Sequence, residues 1–128
     1  MNIGGSFVTE EICQGHNFEP SCTGNAIIFI QSAKYGRVRF GKCLQEQVGP
    51  IGCSEDVSGY IDSLCFGQSE CVVDIPNTHL IAANPCSASY VAYLEVSYEC
   101  IEGMQQYCIL IICSYKSSLK QNWDNRLR

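Results

Sequence analysis

The sequence predicts a small disulfide-rich α+β domain, an antiparallel β-sheet or sandwich with one or two short helices and long structured loops. Three observations predict it. Ten of the 128 residues are cysteine, close to the density of a disulfide scaffold. Short β-branched and aromatic runs recur, and one alternates strictly between apolar and polar side chains. Only one stretch carries apolar residues at helical spacing.

In chain order, Val8 to Cys13 reads as a weak strand. Ala26-Ile27-Ile28-Phe29-Ile30 is too short for a helix and suits a strand buried on both faces. Ser54 to Phe66 reads as a helix. Ser54 can cap it, Glu55 and Asp56 favour its first turn, Val57, Tyr60, Ile61 and Leu64 recur at helical spacing, and Gly67 can stop it. Glu70 to Ile75 is a further strand. Tyr93 to Cys100 is the clearest, with Leu94, Val96 and Tyr98 alternating with Glu95, Ser97 and Glu99. The remainder is loop held by cross-links.

The length fits one domain. With 16% charged and 46% hydrophobic residues the chain is not disordered, and its net charge of −5 argues against a nucleic-acid partner. No apolar run approaches the roughly 20 residues of a membrane span. Charge divides the chain unevenly. Residues 1–102 carry twelve acids and four bases, and residues 103–128 carry one acid and four bases. Residues 8–102 are therefore read as the domain and 103–128 as a C-terminal tail. Within the tail, Cys108 to Cys113 encloses an apolar run that suits a strand, or an aggregation-prone segment if uncovered.

No cysteine pair has C-x-x-C spacing, and the two histidines, His16 and His79, stand alone. No metal and no cofactor is expected. Spread cysteines read as structural disulfides made in an oxidising compartment, so a secreted or extracellular location is expected. Met1 to Ser6 shows no basic or apolar leader region, so no signal peptide is visible in this chain. Catalysis is not expected. There is no nucleophile-elbow context, no phosphate-binding glycine loop and no paired histidines, and Glu10 and Glu11 are strand neighbours that point to opposite faces.

Four local patterns stand in order: Ile12-Cys13-Gln14-Gly15, then Ser32-Ala33-Lys34-Tyr35-Gly36-Arg37, then Asn84-Pro85-Cys86, then Tyr93-Leu94-Glu95-Val96-Ser97-Tyr98-Glu99-Cys100. Together with eight cysteines in register over about residues 8–100, they resemble the sea-urchin-egg-lectin type domain. This is the galactose- or rhamnose-binding lectin domain, also found in latrophilin-type receptors. The resemblance implies the pairs Cys13–Cys43, Cys22–Cys100, Cys53–Cys86 and Cys65–Cys71. Spacing alone cannot choose them, since eight cysteines allow 105 pairings. Cys108 and Cys113 lie outside the family set, free to pair with each other or another chain or to remain reduced.

The resemblance also implies a carbohydrate-binding site at Gln14, Tyr35, Asn77 and Asn84. Tyr35 and Asn77 keep the family's residue types. Gln14 stands where the family has an acid, Asn84 where it has an aspartate, and Ala92 where it has a lysine. The loop from Cys71 to Cys86 is longer than the family's, and one residue is added between Cys86 and Tyr93. Charge-assisted hydrogen bonds are about twice as strong as neutral ones, so the pocket is partly depleted. Amides still both donate and accept.

Each position has a structural reading as well. Gly36 supplies an unusual φ and Arg37 pairs with a carboxylate such as Glu95. Asn84-Pro85, Pro76-Asn77 and Gln14-Gly15 are turn residues, and Lys34 to Lys42 is a solvated strand edge. Two functions follow. One is an extracellular module binding galactose- or rhamnose-like sugars. The alternative is a protein–protein interaction module on the same scaffold, with a cell-surface protein as partner and no sugar bound.

Overall fold

The computed structural model describes residues 7–102. The expected tail from 103, with Cys108, Cys113 and the run between them, lies outside the described residues. The elements are β1 (Val8–Ile12), β2 (Asn17–Phe18), β3 (Ile27–Arg37), β4 (Cys53–Asp56), α1 (Ser58–Cys65), β5 (Val73–Asp74), α2 (Thr78–Ala83) and β6 (Tyr93–Ile101). Four strands form one antiparallel sheet in the order β1-β6-β3-β4, and β2 pairs with β5 in a small second ribbon. The fold class is the predicted one.

The core lies on one face of the large sheet. Ile12, Ile28, Ile30, Ala33, Tyr35, Leu94 and Val96 bury against Phe18 and Val73 of the ribbon and against Ile61 and Leu80 of the helices. The alternation read in Tyr93 to Cys100 holds. Leu94 and Val96 are fully buried, while Glu95, Ser97 and Glu99 keep partial access to water. Tyr93, on the other face, is nonetheless buried. Its hydroxyl accepts from Arg39 N and donates to Arg39 O, both at 3.2 Å, so the chain after β3 folds over it.

Three expectations are corrected. First, Ser54, Glu55 and Asp56 do not begin a helix but form β4, opposite Gly36, Tyr35 and Lys34 of β3. Pairing with a long strand overrides the local capping signal. The helix begins at Ser58, where Asp56 Oδ1 accepts the backbone N–H at 2.9 Å. Ile61 and Cys65 are buried on its inner face, in line with the buried cap residue Val57 four positions earlier, and Leu64 is exposed. Second, the run from Lys34 to Lys42 is not a strand edge, because Lys34 to Arg37 lie in β3 between β6 and β4 and residues 38–42 lie beyond the strand. Third, Arg37 does not pair with Glu95. Glu95 lies opposite Lys34, so Arg37 points to the other face of the sheet. Arg39 takes Glu95 instead.

Arg37 has a different task. It is 3% exposed and donates from Nε to Pro50 O at 2.6 Å, from Nη1 to Val91 O at 2.6 Å, and from Nη2 to Val48 O. One guanidinium thus holds two loops that have no ladder of their own. Gly36 beside it has φ +147°, and a Cβ there would lie 2.4 Å from Cys53 O, so this close strand crossing requires glycine. Four disulfides complete the frame, Cys13–Cys43, Cys22–Cys100, Cys53–Cys86 and Cys65–Cys71, as the resemblance implied.

Two stability outcomes follow. Opening Cys22–Cys100, which spans 78 residues, with paired alanines should cost roughly 4–5 kcal/mol on chain-entropy grounds; opening Cys65–Cys71, which spans six, should cost roughly 2–3 kcal/mol. Denaturant unfolding of the two variants measures the order. Arg37→Met keeps the stem and deletes every donor, so it should cost about 2–4 kcal/mol. Amide exchange in residues 44–52 and 87–92 should accelerate, and unchanged exchange there would refute the clamp.

Candidate functional site

Gln14 sits in the exposed turn between β1 and β2. The turn closes with His16 N–H on Cys13 O at 3.1 Å, and Gly15 takes φ +91°. Gly15 N–H donates to Ile75 O at 2.8 Å and Ile75 N–H donates to His16 O at 3.1 Å. This stitch brings the Gln14 turn beside the Ile75-Pro76-Asn77 segment, so two of the four expected residues share one junction.

Asn77 is the N-cap of α2, a second helix of six residues. Its Oδ1 accepts from Leu80 N at 2.9 Å and its Nδ2 donates to Tyr60 Oη at 2.8 Å. Tyr60 stacks on His79 with ring centroids 3.8 Å apart. Burial raises the Tyr60 pKa against the opposing effect of the Asn77 bond, and burial lowers that of His79. Both ends of the Asn77 amide therefore have protein partners. Asn84 caps the other end of α2, and its Oδ1 accepts from Cys86 N at 2.9 Å, turning the chain into the Cys53–Cys86 bond. Tyr35 lies in mid-sheet between Leu94 and Glu55 and is 3% exposed. Burial pushes its pKa up. It belongs to the same buried cluster as Ile12, Ile75 and Leu80, which flank the Gln14 and Asn77 segments. No hydrogen bond joins any two of the four.

Two open cavities lie nearby, and none of the four lines either. One, of about 550 Å³, is bounded by Glu10, Glu11, His16, Arg39, Lys42 and Glu95. Glu11 and Glu95 stand directly opposite across β1 and β6, and Glu11 Oε1 is buried there with no hydrogen-bond partner among the described residues. The second, of about 520 Å³, is bounded by Cys13, Arg37, Lys42, Cys43, residues 44–48, Ser89, Tyr90 and Val91. Among the described residues no cluster of three or more His, Cys, Asp or Glu is placed to hold a metal, and no helix is long and apolar enough to cross a membrane.

Sequence reasoning did not single out Tyr90, weighed Glu11 only as half of an unsuitable acid/base pair, and did not foresee that Arg37 organises loops. The added residue between Cys86 and Tyr93 was the available signal for Tyr90. No side-chain pattern marks the backbone carbonyls that Arg37 binds.

The D-galactoside/L-rhamnose binding SUEL lectin domain matches residues 20–100. A rhamnose-binding lectin of Silurus asotus is 32% identical over 109 residues, covering 80% of this chain and 33% of that lectin. Adhesion G protein-coupled receptor L1 of Homo sapiens is 30% identical over 95 residues, covering 72% of this chain and 6% of the receptor. Latrophilin-like protein 1 of Caenorhabditis elegans is 29% identical over 98 residues, 73% of this chain and 10% of that protein. The chain thus spans a third or less of the length of these relatives. The domain match begins at Pro20, after β2, and runs through β3, β4, both helices and β5 into β6 as far as Cys100, and by that match the chain belongs to the D-galactoside/L-rhamnose binding SUEL lectin domain family.

Proposed function

We propose that this chain is an extracellular carbohydrate-binding module for galactose- or rhamnose-like sugars, with a pocket that works with fewer charges than its relatives. The observation that carries the reading is the stitch between Gly15 and Ile75, which sets the Gln14 turn against the Asn77 cap at one end of the core. Gln14 is exposed, so its amide is open to a ligand from water. Asn84 uses its Oδ1 within the chain and keeps its Nδ2 as a donor for a sugar hydroxyl. Asn77 aligns the rim through its bonds to Leu80 and Tyr60, and Tyr35 closes the floor from within the core. The sugar-binding relative from Silurus asotus supports the ligand class. Disulfide density supports an oxidising, extracellular setting. Residues 8–102 form the binding module in this reading, and 103–128 a tail that folding does not need.

A glycan array tests the ligand class. Binding to terminal rhamnose or galactose that free sugar competes away supports the module. Silence on the array, with specific capture of a cell-surface protein, supports the interaction reading instead. Calorimetry then tests the pocket. Gln14→Glu with Asn84→Asp restores two charge-assisted bonds worth about 1 kcal/mol each over neutral ones, so Kd should fall roughly tenfold or more. An unchanged Kd would remove these two residues from the contact set. Deleting 103–128 should leave the thermal midpoint within about 2 °C, since surface changes away from a core cost little; a larger drop shows that the tail packs on the domain.

A further inference from the structure

A pyranose offers hydroxyls on its rim and a C–H face, and a site that holds it needs an apolar wall as well as hydrogen-bonding groups. The tyrosine expected to supply that wall, Tyr35, is 3% exposed. Tyr90 is 39% exposed and lines the cavity of about 520 Å³, a volume in the range of small-ligand sites. Its ring is held in place. Gly49, at φ +89°, lies so close that a Cβ would come within 2.6 Å of Tyr90 Cδ1, and the Arg37 guanidinium carbon lies 5.2 Å from the ring centroid. The same guanidinium binds Val48 O, Pro50 O and Val91 O, so both loops that shape the cavity are fixed to one buried group. Gln45, Gln47 and Ser89 bring groups that both donate and accept to the walls. Gln47 takes φ +52°, a conformation that few non-glycine residues adopt. Cys13, the residue before Gln14, forms part of the boundary, so the cavity begins at the exposed turn.

We propose that Tyr90 is the sugar-stacking wall of this domain, with the C–H face of a hexopyranose on its ring and the sugar hydroxyls on the amides of Gln45 and Gln47. This rests on the reading of the chain as a sugar-binding module and adds a site residue on the loop after Cys86. A protein partner fits less well. A standard interface buries about 800 Å² on each side, whereas the large exposed apolar residues lining this cavity are Val48, Tyr90 and Val91, among polar and charged ones.

The test uses the full chain with methyl α-L-rhamnopyranoside and methyl β-D-galactopyranoside as probes. Proton NMR should show upfield shifts of the C–H protons of at least one probe, because they lie over an aromatic ring. Tyr90→Ala should weaken that probe at least tenfold, while Tyr90→Trp should bind within threefold of the parent or tighter. Tyr90→Leu keeps the bulk and should abolish the upfield shifts, a readout that survives if the alanine variant folds poorly. Parent-like affinity in Tyr90→Ala, with Gln14→Glu and Asn84→Asp still changing it, overturns this proposal and leaves the sugar-binding reading standing. Failure of the parent chain to bind either probe, with an array silent as well, overturns both. A protein that shields residues 44–52 and 87–92 from exchange while both sugars leave them untouched overturns the stacking role and assigns the cavity to that partner.

Discussion

One buried guanidinium determines the shape of one end of the domain. Arg37 closes β3 on the core side of the sheet and, among the described residues, pairs with no carboxylate. Its donors go to three backbone carbonyls in two loops. A cation removed from water is costly unless it is hydrogen-bonded, and irregular loops carry carbonyls that no ladder uses. Each side supplies what the other lacks. The result is a fixed relation between residues 48–50 and residue 91, which are far apart in sequence and belong to no common strand.

The disulfides work at another scale. Cys22–Cys100 joins the chain before β3 to the end of β6, closing nearly the whole domain. Cys13–Cys43 and Cys53–Cys86 anchor the long connections on either side of the Arg37 clamp, and Cys65–Cys71 ties the end of α1 to the chain that leads into β5. A domain of this size has a limited apolar core, and much of its chain runs in loops. Cross-links restrict where those loops can travel, while Arg37 fixes the details that a cross-link leaves loose. The sheet supplies the platform, with β3 and β6 at its centre.

The parts of this fold legible in the sequence are those that one short-range signal decides. Leu94 and Val96 could be read because a half-buried strand alternates. The full extent of β3 could not, because its register shifts between Ile30 and Ser32. This irregularity breaks the alternation, so the apolar run to Ile30 and the alternation of Ala33 with Tyr35 look like separate segments. Ser54 to Asp56 carried a true helix-start composition, but the backbone there is claimed by β3. Asn77 looked like a turn residue because α2 is six residues long and buries only Leu80, too little to show a period. The cysteine pairing was legible only through the family resemblance. For the expected site, positions could be matched to the motifs, whereas burial could not. A motif tyrosine names a position but says nothing about what covers it.

The contrast between Tyr35 and Tyr90 follows from the path of β3. The alternation that directs Ala33 into the core also directs Tyr35 and Arg37 there. With Tyr35 inside, its ring contributes to packing among Ile12, Leu94 and the helices. Two residues further on, Arg37 draws in the carbonyls of the flanking loops, and the backbone at Gly49 is pressed against Tyr90. A side chain at position 49 would collide with that ring, so the loop meets it with glycine and the ring stays ordered at the surface. An ordered surface ring loses little entropy when a ligand covers it. In the proposed sugar site such preorganisation would offset the weaker bonds of Gln14 and Asn84, which stand where the family carries acids. The order of the Tyr90 ring is thus set where β3 ends, through Arg37 and the loop that carries Gly49.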